Sequence, residues 1–361
     1  MKPLIVSILL SLGAAKAAPI YNITDLGSLG GWTAAAYAIS PNGEAVGGAM
    51  DPFNTMHAFR APGGAMTPFA ANAVAWDVNA SGQIAGVQYV GNEAYAARWS
   101  HGALEILGDS GSYAMGINAS GQVTGMWSNG HLLLTDAAGN PQSLGTMPGS
   151  FWSAGYDVND SGQVAGYAIF HTTFQAFLWS EAGGYQPLAS LGGANSYAMA
   201  VNNLGAVAGH AQNASGAMRA ALWWGGTVTD LGALGGTQSY AYDINNARAV
   251  VGHAWVNGQA RAFLYTGGVM LDLTSLLADG AGWVLQHAYG INDAGQIVGM
   301  GLYNGQVHAF RLDPAGFGTS GLGLLSENDG SLAVSPEPAS WMLAAVGVAL
   351  LLAARSRRLR R

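Results

Sequence analysis

The sequence predicts an all-β chain folded as a seven-bladed β-propeller of repeats about 42 residues long. Three observations predict it: a unit that recurs seven times, a period-two alternation within each unit, and an offset between the first and last copies. The unit reads YAISPNGEAVG from Tyr37, WDVNASGQIAG from Trp76, MGINASGQVTG from Met115 and YDVNDSGQVAG from Tyr156. It continues as MAVNNLGAVAG from Met199, YDINNARAVVG from Tyr242 and YGINDAGQIVG from Tyr289. The turn residues are Gly43, Gly82, Gly121, Gly162, Gly205, Arg248 and Gly295, spaced 39, 39, 41, 43, 43 and 47 residues apart. A near-constant period of this length marks stacked supersecondary units.

Within each unit, Ile or Val stands before the turn (Ile39, Val78, Ile117, Val158, Val201, Ile244, Ile291), and Tyr, Trp or Met stands two residues earlier. Ala, Gly or Asp fills the position between. After the turn a short apolar run ends at a glycine in every copy. Period two, β-branched residues and Asn-x-Ser-Gly turns specify antiparallel strands in hairpins. A second landmark follows, such as HAFR (His57–Arg60), QAFLW (Gln175–Trp179), RAFLY (Arg261–Tyr265) or HAFRL (His308–Leu312), and then a segment like TDLGALGG from Thr229. Four short strands per unit, seven times over, build a propeller. A β-solenoid has shorter coils and no use for three hairpins per unit.

The offset concerns closure. YNITDLGSLGG, from Tyr21, matches the fourth strand of a unit, whereas the seventh unit ends at HAFRLDP without one. The N-terminal strand must then complete the last blade, which leaves the ring no exposed edge.

From Tyr21 to Pro314 these landmarks resemble the HAF repeat family of extracellular bacterial proteins. That family is defined by its repeat and not by a reaction, so the resemblance implies export and little about activity.

The termini predict targeting. Lys2, the apolar run Leu4–Leu12 and the small residues Ala15 and Ala17 form a signal peptide over residues 1–17, cut after Ala17. The propeller is expected over 18–314 and a Gly/Ser-rich flexible linker over 315–334. Residues 335–361 hold Pro336-Glu337-Pro338, an uncharged run from Ala339 to Ala354, and a tail with five arginines. Sixteen helical residues at about 1.5 Å each span roughly 24 Å, a marginal transmembrane helix, and the basic tail orients it towards the cytoplasm. This order resembles the PEP-CTERM sorting signal of Gram-negative bacteria. The resemblance implies Sec export, an exosortase-type sorting enzyme as partner, passage of the C-terminal helix through the inner membrane before processing, and release or attachment at the cell surface. It also implies a host that makes exopolysaccharide.

Composition narrows the function. The chain of 361 residues contains no cysteine, so there is no disulfide framework, thiolate metal site or thiol nucleophile. Both lysines lie in the signal peptide and five arginines in the tail. The stretch between keeps six arginines against all 20 acidic residues, a formal charge of −14. A lysine-free acidic surface argues against nucleic acid and anionic lipid as partners.

The candidate sites divide accordingly. Asp77 and Asp157 open calcium-like loops, but the twelfth position holds Gln88 or Ala168 where a bidentate Glu is needed. Asn79, Asn118, Asn159, Asn213 and Asn22 fit glycosylation acceptors, three of them being the repeat turn itself. The histidines show no metal-binding spacing. No metal, cofactor or catalytic residue is therefore assigned. Trp32, Tyr113, Trp152, Tyr197 and Tyr240 are the candidates for stacking on polysaccharide, with packing between blades as the alternative role. The expected function is a structural or binding module of the envelope or extracellular matrix. The alternative is a glycan-cleaving enzyme that uses Asp77, Asp157 and Asp243 of the inner strands, which requires two carboxyl groups about 5 to 9.5 Å apart.

Overall fold

The computed structural model describes residues 18–136 and 138–317; the expected signal peptide over 1–17, the expected linker beyond Phe317 and the expected sorting segment over 335–361 lie outside the described residues. Among the described residues no helix is long and apolar enough to cross a membrane.

Strand β1 (Pro19–Gly27) comes first. Blade 1 holds β2 (Ala34–Ile39), β3 (Ala45–Met50), β4 (Met56–Ala61) and β5 (Thr67–Ala71). Blade 2 holds β6 (Ala73–Val78), β7 (Ile84–Val90), β8 (Glu93–Ser100) and β9 (Ala103–Ser110). Blade 3 holds β10 (Tyr113–Ile117), β11 (Val123–Met126), β12 (Leu132–Thr135) and β13 (Pro141–Ser143). Blade 4 holds β14 (Trp152–Val158), β15 (Val164–Phe170), β16 (Thr173–Ser180) and β17 (Gly184–Pro187). Blade 5 holds β18 (Gly192–Val201), β19 (Val207–Asn213), β20 (Met218–Trp224) and β21 (Thr227–Asp230). Blade 6 holds β22 (Gln238–Ile244), β23 (Val250–Val256), β24 (Gln259–Thr266) and β25 (Val269–Asp272), and a short 3-10 turn (Leu273–Leu276) follows it. Blade 7 holds β26 (Trp283–Ile291), β27 (Ile297–Tyr303) and β28 (Gln306–Phe317), and β1 is its fourth strand.

The closure expected from the offset is present: Ile23 pairs with Leu312 and Tyr21 with Pro314. Strand β28 runs on to Phe317, three residues past the expected end of the ring, because Pro19 and Ile20 extend the pairing. All seven sheets are antiparallel, and the first strand of each lines a common channel. One face of the ring carries the hairpins after each first strand; we call it the turn face. The opposite face carries the links between blades and the hairpins between second and third strands; we call it the connection face.

Strict alternation fails at one place in every inner strand. The register slips between Ala36 and Ala38, Ala75 and Asp77, Ala114 and Gly116, Gly155 and Asp157, Ala198 and Ala200, Ala241 and Asp243, and Ala288 and Gly290. The slip is a β-bulge in which two residues oppose one on the neighbouring strand. It turns both the Tyr, Trp or Met and the residue after it towards the channel. The same bulge explains the glycine that closes each repeat. A Cβ on Gly47, Gly86, Gly125, Gly166, Gly209, Gly252 or Gly299 would overlap a carbonyl oxygen of the bulged strand, far inside van der Waals contact.

The turn residues all have positive φ, including Arg248 at 61°. The conformation that glycine adopts freely is costly for arginine, and its guanidinium lies over Trp224 at 5.3 Å, a cation–π contact. Between blades the core combines small alanines with large residues, alanine-rich beside blade 5 and richer in Leu, Ile and aromatic residues beside blade 7. Phe59, Phe177, Phe263 and Phe310, from the HAFR-like segments, are fully buried. Each contributes roughly 1.5–3 kcal/mol by leaving water.

Candidate functional site: the channel and the connection face

Three layers of side chains line the channel. On the turn face, Asn79, Asn118, Asn159, Asn202, Asn245 and Asn292 are buried. Each side-chain amide donates to the backbone carbonyl of the matching residue in the next blade. Asn79 reaches Asn118 at 3.0 Å, Asn118 reaches Asn159 at 3.1 Å, and Asn159 reaches Asn202 at 3.0 Å. The series continues to Asn245, to Asn292 and finally to Ser40. Each Asn oxygen also accepts the N–H four residues on, which pins the turn. Asn79, Asn118 and Asn159 are therefore rungs of a ladder joining the blades, and their buried amides are inaccessible to glycosylation.

The second layer is the aspartates. Asp77 accepts from Val78 N–H at 2.7 Å and from Ile117 N–H of blade 3 at 2.7 Å. Asp157 accepts from Val158 and from Val201 of blade 5 at 2.7 and 2.8 Å. Asp243 accepts from Ile244 and from Ile291 of blade 7, both at 2.7 Å. Aspartates on blades 2, 4 and 6 thus serve blades 2 to 7, one oxygen each. That is why Asp is optional in the repeat: a carboxylate has two acceptor oxygens, so every second copy suffices.

The three carboxyls border a small cavity of about 110 Å³ with Tyr37, Trp76, Tyr156, Tyr242 and Tyr289. Burial, opposed by the N–H bonds, raises Asp77 to about 8, Asp157 to about 6 and Asp243 to about 7. Mutual repulsion among the three adds to the rise at Asp77 and Asp243. Among the described residues, no group of three or more His, Asp or Glu is arranged to hold a metal ion.

The third layer, towards the connection face, is aromatic. Tyr197 stacks on His210 with centroids 4.9 Å apart, and His210 meets Tyr240 at 5.1 Å. Tyr240 stacks on His253 at 4.9 Å, His253 lies 4.4 Å from His287, and His287 stacks on Tyr289 at 5.5 Å. Tyr37 joins Tyr289 to Trp76, and Tyr167 joins Tyr197 to Tyr156. Burial holds His210, His253 and His287 down at about 4, 3 and 4, so all three are neutral at pH 7.

The aromatic residues singled out from the sequence fall into two groups. Tyr197 and Tyr240 belong to this band, and Tyr113 sits at the head of β10 beside Tyr89, whose pKa is raised by burial first and by Tyr113 second. Trp152 heads β14 half-buried, and a Cβ added to Gly130 in blade 3 would meet its ring at 3.3 Å. Trp32 stands alone in the link from β1 to β2, 69% exposed. Three residues escaped sequence reasoning: Phe53 at 87% exposed, Phe151 at 57% and Trp255 at 41%. Phe53 lies on a hairpin tip, Phe151 on a link and Trp255 near the end of β23, where no periodicity distinguishes an exposed ring from a buried one. All three share the connection face with Trp32.

No family model and no curated protein matches the chain. Solved structures do. An acylaminoacyl peptidase from Pyrococcus horikoshii is 12% identical with a TM-score of 0.50, over 78% of this chain and 53% of that one. Virginiamycin B lyase from Staphylococcus aureus is 12% identical with a TM-score of 0.48, over 81% of this chain and 99% of that one. TolB from Acinetobacter baumannii is 11% identical with a TM-score of 0.44, over 76% of this chain and 64% of that one. The chain thus spans less than two thirds of the TolB and peptidase chains. At such identities the likeness is one of fold alone.

Proposed function

We propose that this chain is an exported, surface-sorted binding module that holds polysaccharide on its connection face. The observation that carries the reading is that Trp32, Phe53, Phe151 and Trp255, from different parts of the ring, are all exposed on the connection face. Exposed rings beside polar groups give sugars an apolar platform at small entropic cost. The described chain ends at Phe317 on the opposite, turn face. A tether that continues from there leaves the connection face free. Export and sorting rest on residues 1–17 and on the Pro336-Glu337-Pro338 segment with its run of arginines, which resembles an exosortase signal.

The competing reading is a glycan-cleaving enzyme with Asp77, Asp157 and Asp243 as its acids. Their raised pKa values favour it. Against it, both oxygens of each carboxylate already accept backbone N–H groups, and the cavity they border is too small for a sugar chain.

A matrix pull-down with residues 18–334 tests the proposal. We expect retention on a neutral polysaccharide and its loss in a Trp32→Ala/Phe53→Ala variant that melts like the parent. Failure to bind any polysaccharide overturns it. Cleavage of a bound glycan, lost in Asp77→Asn, replaces it with the enzyme reading.

A further inference from the structure

Three arginines share one repeat position, directly after Phe59, Ala97 and Phe310 in the third strands of blades 1, 2 and 7. Two of them close the gap to the next blade. Arg98 donates to the Gly121 carbonyl at 2.9 Å and to Glu105 at 2.6 and 3.0 Å. Arg311 donates to the Gly43 carbonyl at 3.4 Å and to Asp313 at 3.1 Å. Arg60 differs. It bonds Glu44 through Nε alone, at 2.5 Å, and among the described residues neither of its Nη groups has a hydrogen-bond partner. Its side chain is 40% exposed.

Beside Arg60 lies a cavity of about 290 Å³ between blades 1 and 2. Phe69 and Trp99 form one wall, with ring centroids 5.6 Å apart and edge-on. Ala71, Gln88, His101 and Leu104 form much of the rest. The volume is at the lower end of the roughly 300–1,000 Å³ of small-molecule sites.

We propose that this cavity binds a small ring compound carrying a carboxylate. Glu44 anchors the Nε side of the guanidinium, which leaves both Nη groups for an incoming anion. A guanidinium presents its N–H groups in a planar fork that matches a carboxylate. The apolar face of the ring packs against Trp99 and Phe69, as rings do on aromatic walls. In so acidic a chain, a guanidinium with free donors in a formed cavity is a rare attraction for an anion. A uronic acid and an aromatic acid share this chemistry, and binding measurements separate them.

Calorimetry on the full chain in detergent, with glucuronate, benzoate and glucose as probes, tests the assignment. We expect saturable one-to-one binding of at least one acid and binding of glucose at least about tenfold weaker. Arg60→Gln is expected to weaken the acid about tenfold or more, the loss of a hydrogen bond to a charged group. Ala71→Phe, at an exposed wall position, should abolish binding by filling the cavity while the melting temperature holds. The Trp32→Ala/Phe53→Ala variant should bind the acid unchanged, so this site and the connection face fail independently. Tighter glucuronate identifies a sugar acid, and tighter benzoate an aromatic one. No saturable binding of either acid, equal binding of glucose, or indifference to both Arg60→Gln and Ala71→Phe overturns the proposal.

Discussion

Stability should be level in mild acid and fall above about pH 6.5, because six buried groups titrate in opposing directions. Folding raises Asp77, Asp157 and Asp243 from 3.8 to about 8, 6 and 7. It lowers His210, His253 and His287 from 6.5 to about 4, 3 and 4. Between its ordinary and raised values, a folded carboxyl holds a proton that the unfolded chain has lost, so stability falls as pH rises through that window. A buried imidazole stays neutral where the unfolded chain is protonated, so stability falls as pH drops below 6.5. Each group contributes a slope of about 1.4 kcal/mol per pH unit. From about pH 4 to 6 three slopes of each sign roughly cancel. Above 6.5 the histidines are silent while Asp243 and Asp77 still titrate, which costs about 2–3 kcal/mol by pH 8. For a ring of this size that is roughly 3–5 °C of melting temperature. Thermal unfolding followed by circular dichroism from pH 4 to 9 reads the profile. Asp77→Asn, which removes the charge and keeps one acceptor, should flatten the drop between pH 7 and 8 whatever it does to the absolute melting point. A wild-type melting temperature that rises from pH 6.5 to 8, or an unchanged drop in Asp77→Asn, refutes the reasoning.

Other substitutions probe the same framework. Gly166→Ala places a Cβ against the Ala154 carbonyl and should destabilise by about 2 kcal/mol or more in urea unfolding. Asn159→Ala removes the bond to the Asn202 carbonyl of the next blade and strands the Ser161 and Gln163 N–H groups, for roughly 2–4 kcal/mol. Asn213→Ala, in an exposed hairpin with the same Asn-x-Ser signature, should cost about 1 kcal/mol or less, and equal losses at the two asparagines would remove the special role of the ladder. Ala38→Asp should give Ile39 N–H an acceptor yet steepen the alkaline loss of stability, because it adds a fourth buried carboxyl; a stabilised variant at pH 8 would contradict this.

The ring and its closure were legible because they depend on patterns local to one repeat: Ile or Val at 39, 78 and 117, the turn glycines, and the strand-like YNITDLG at the wrong end. The bulge was not, because the residues beside it (Tyr156 then Asp157) keep the composition of an alternating strand and only the cross-strand register reveals the slip. The closing glycine was visible in all seven copies, but its reason lies in a carbonyl on the neighbouring strand. Asn159 carried a turn signature that was correct and incomplete, since the partner of its amide lies 43 residues away in another blade. Pairings between blades leave no trace inside one period. Of the candidate aromatics, Tyr197 and Tyr240 were found because they recur at the head of inner strands. Phe53 and Trp255 recur nowhere.

The alternation of aspartates follows from counting oxygens around an odd ring. One carboxylate serves its own blade and the next, so three serve six blades and the seventh is left over. A fourth would always duplicate a bond already made: at position 38 its second oxygen would meet Val78 N–H, which Asp77 holds, and at position 290 it would meet Ile291 N–H, which Asp243 holds. Each added carboxyl also raises the repulsion that already pushes Asp77 upwards. Ser40 sends no rung on to Asn79 of blade 2, whereas the junction between blades 7 and 1, flanked by the small residues Gly290 and Ala38, is still crossed by Asn292 to the Ser40 carbonyl. This junction is also where β1 returns to complete blade 7. Among the described residues the barest polar clasp between inner strands is the one from blade 1 to blade 2, directly after the closure in blade 7 that joins residues nearly 300 positions apart.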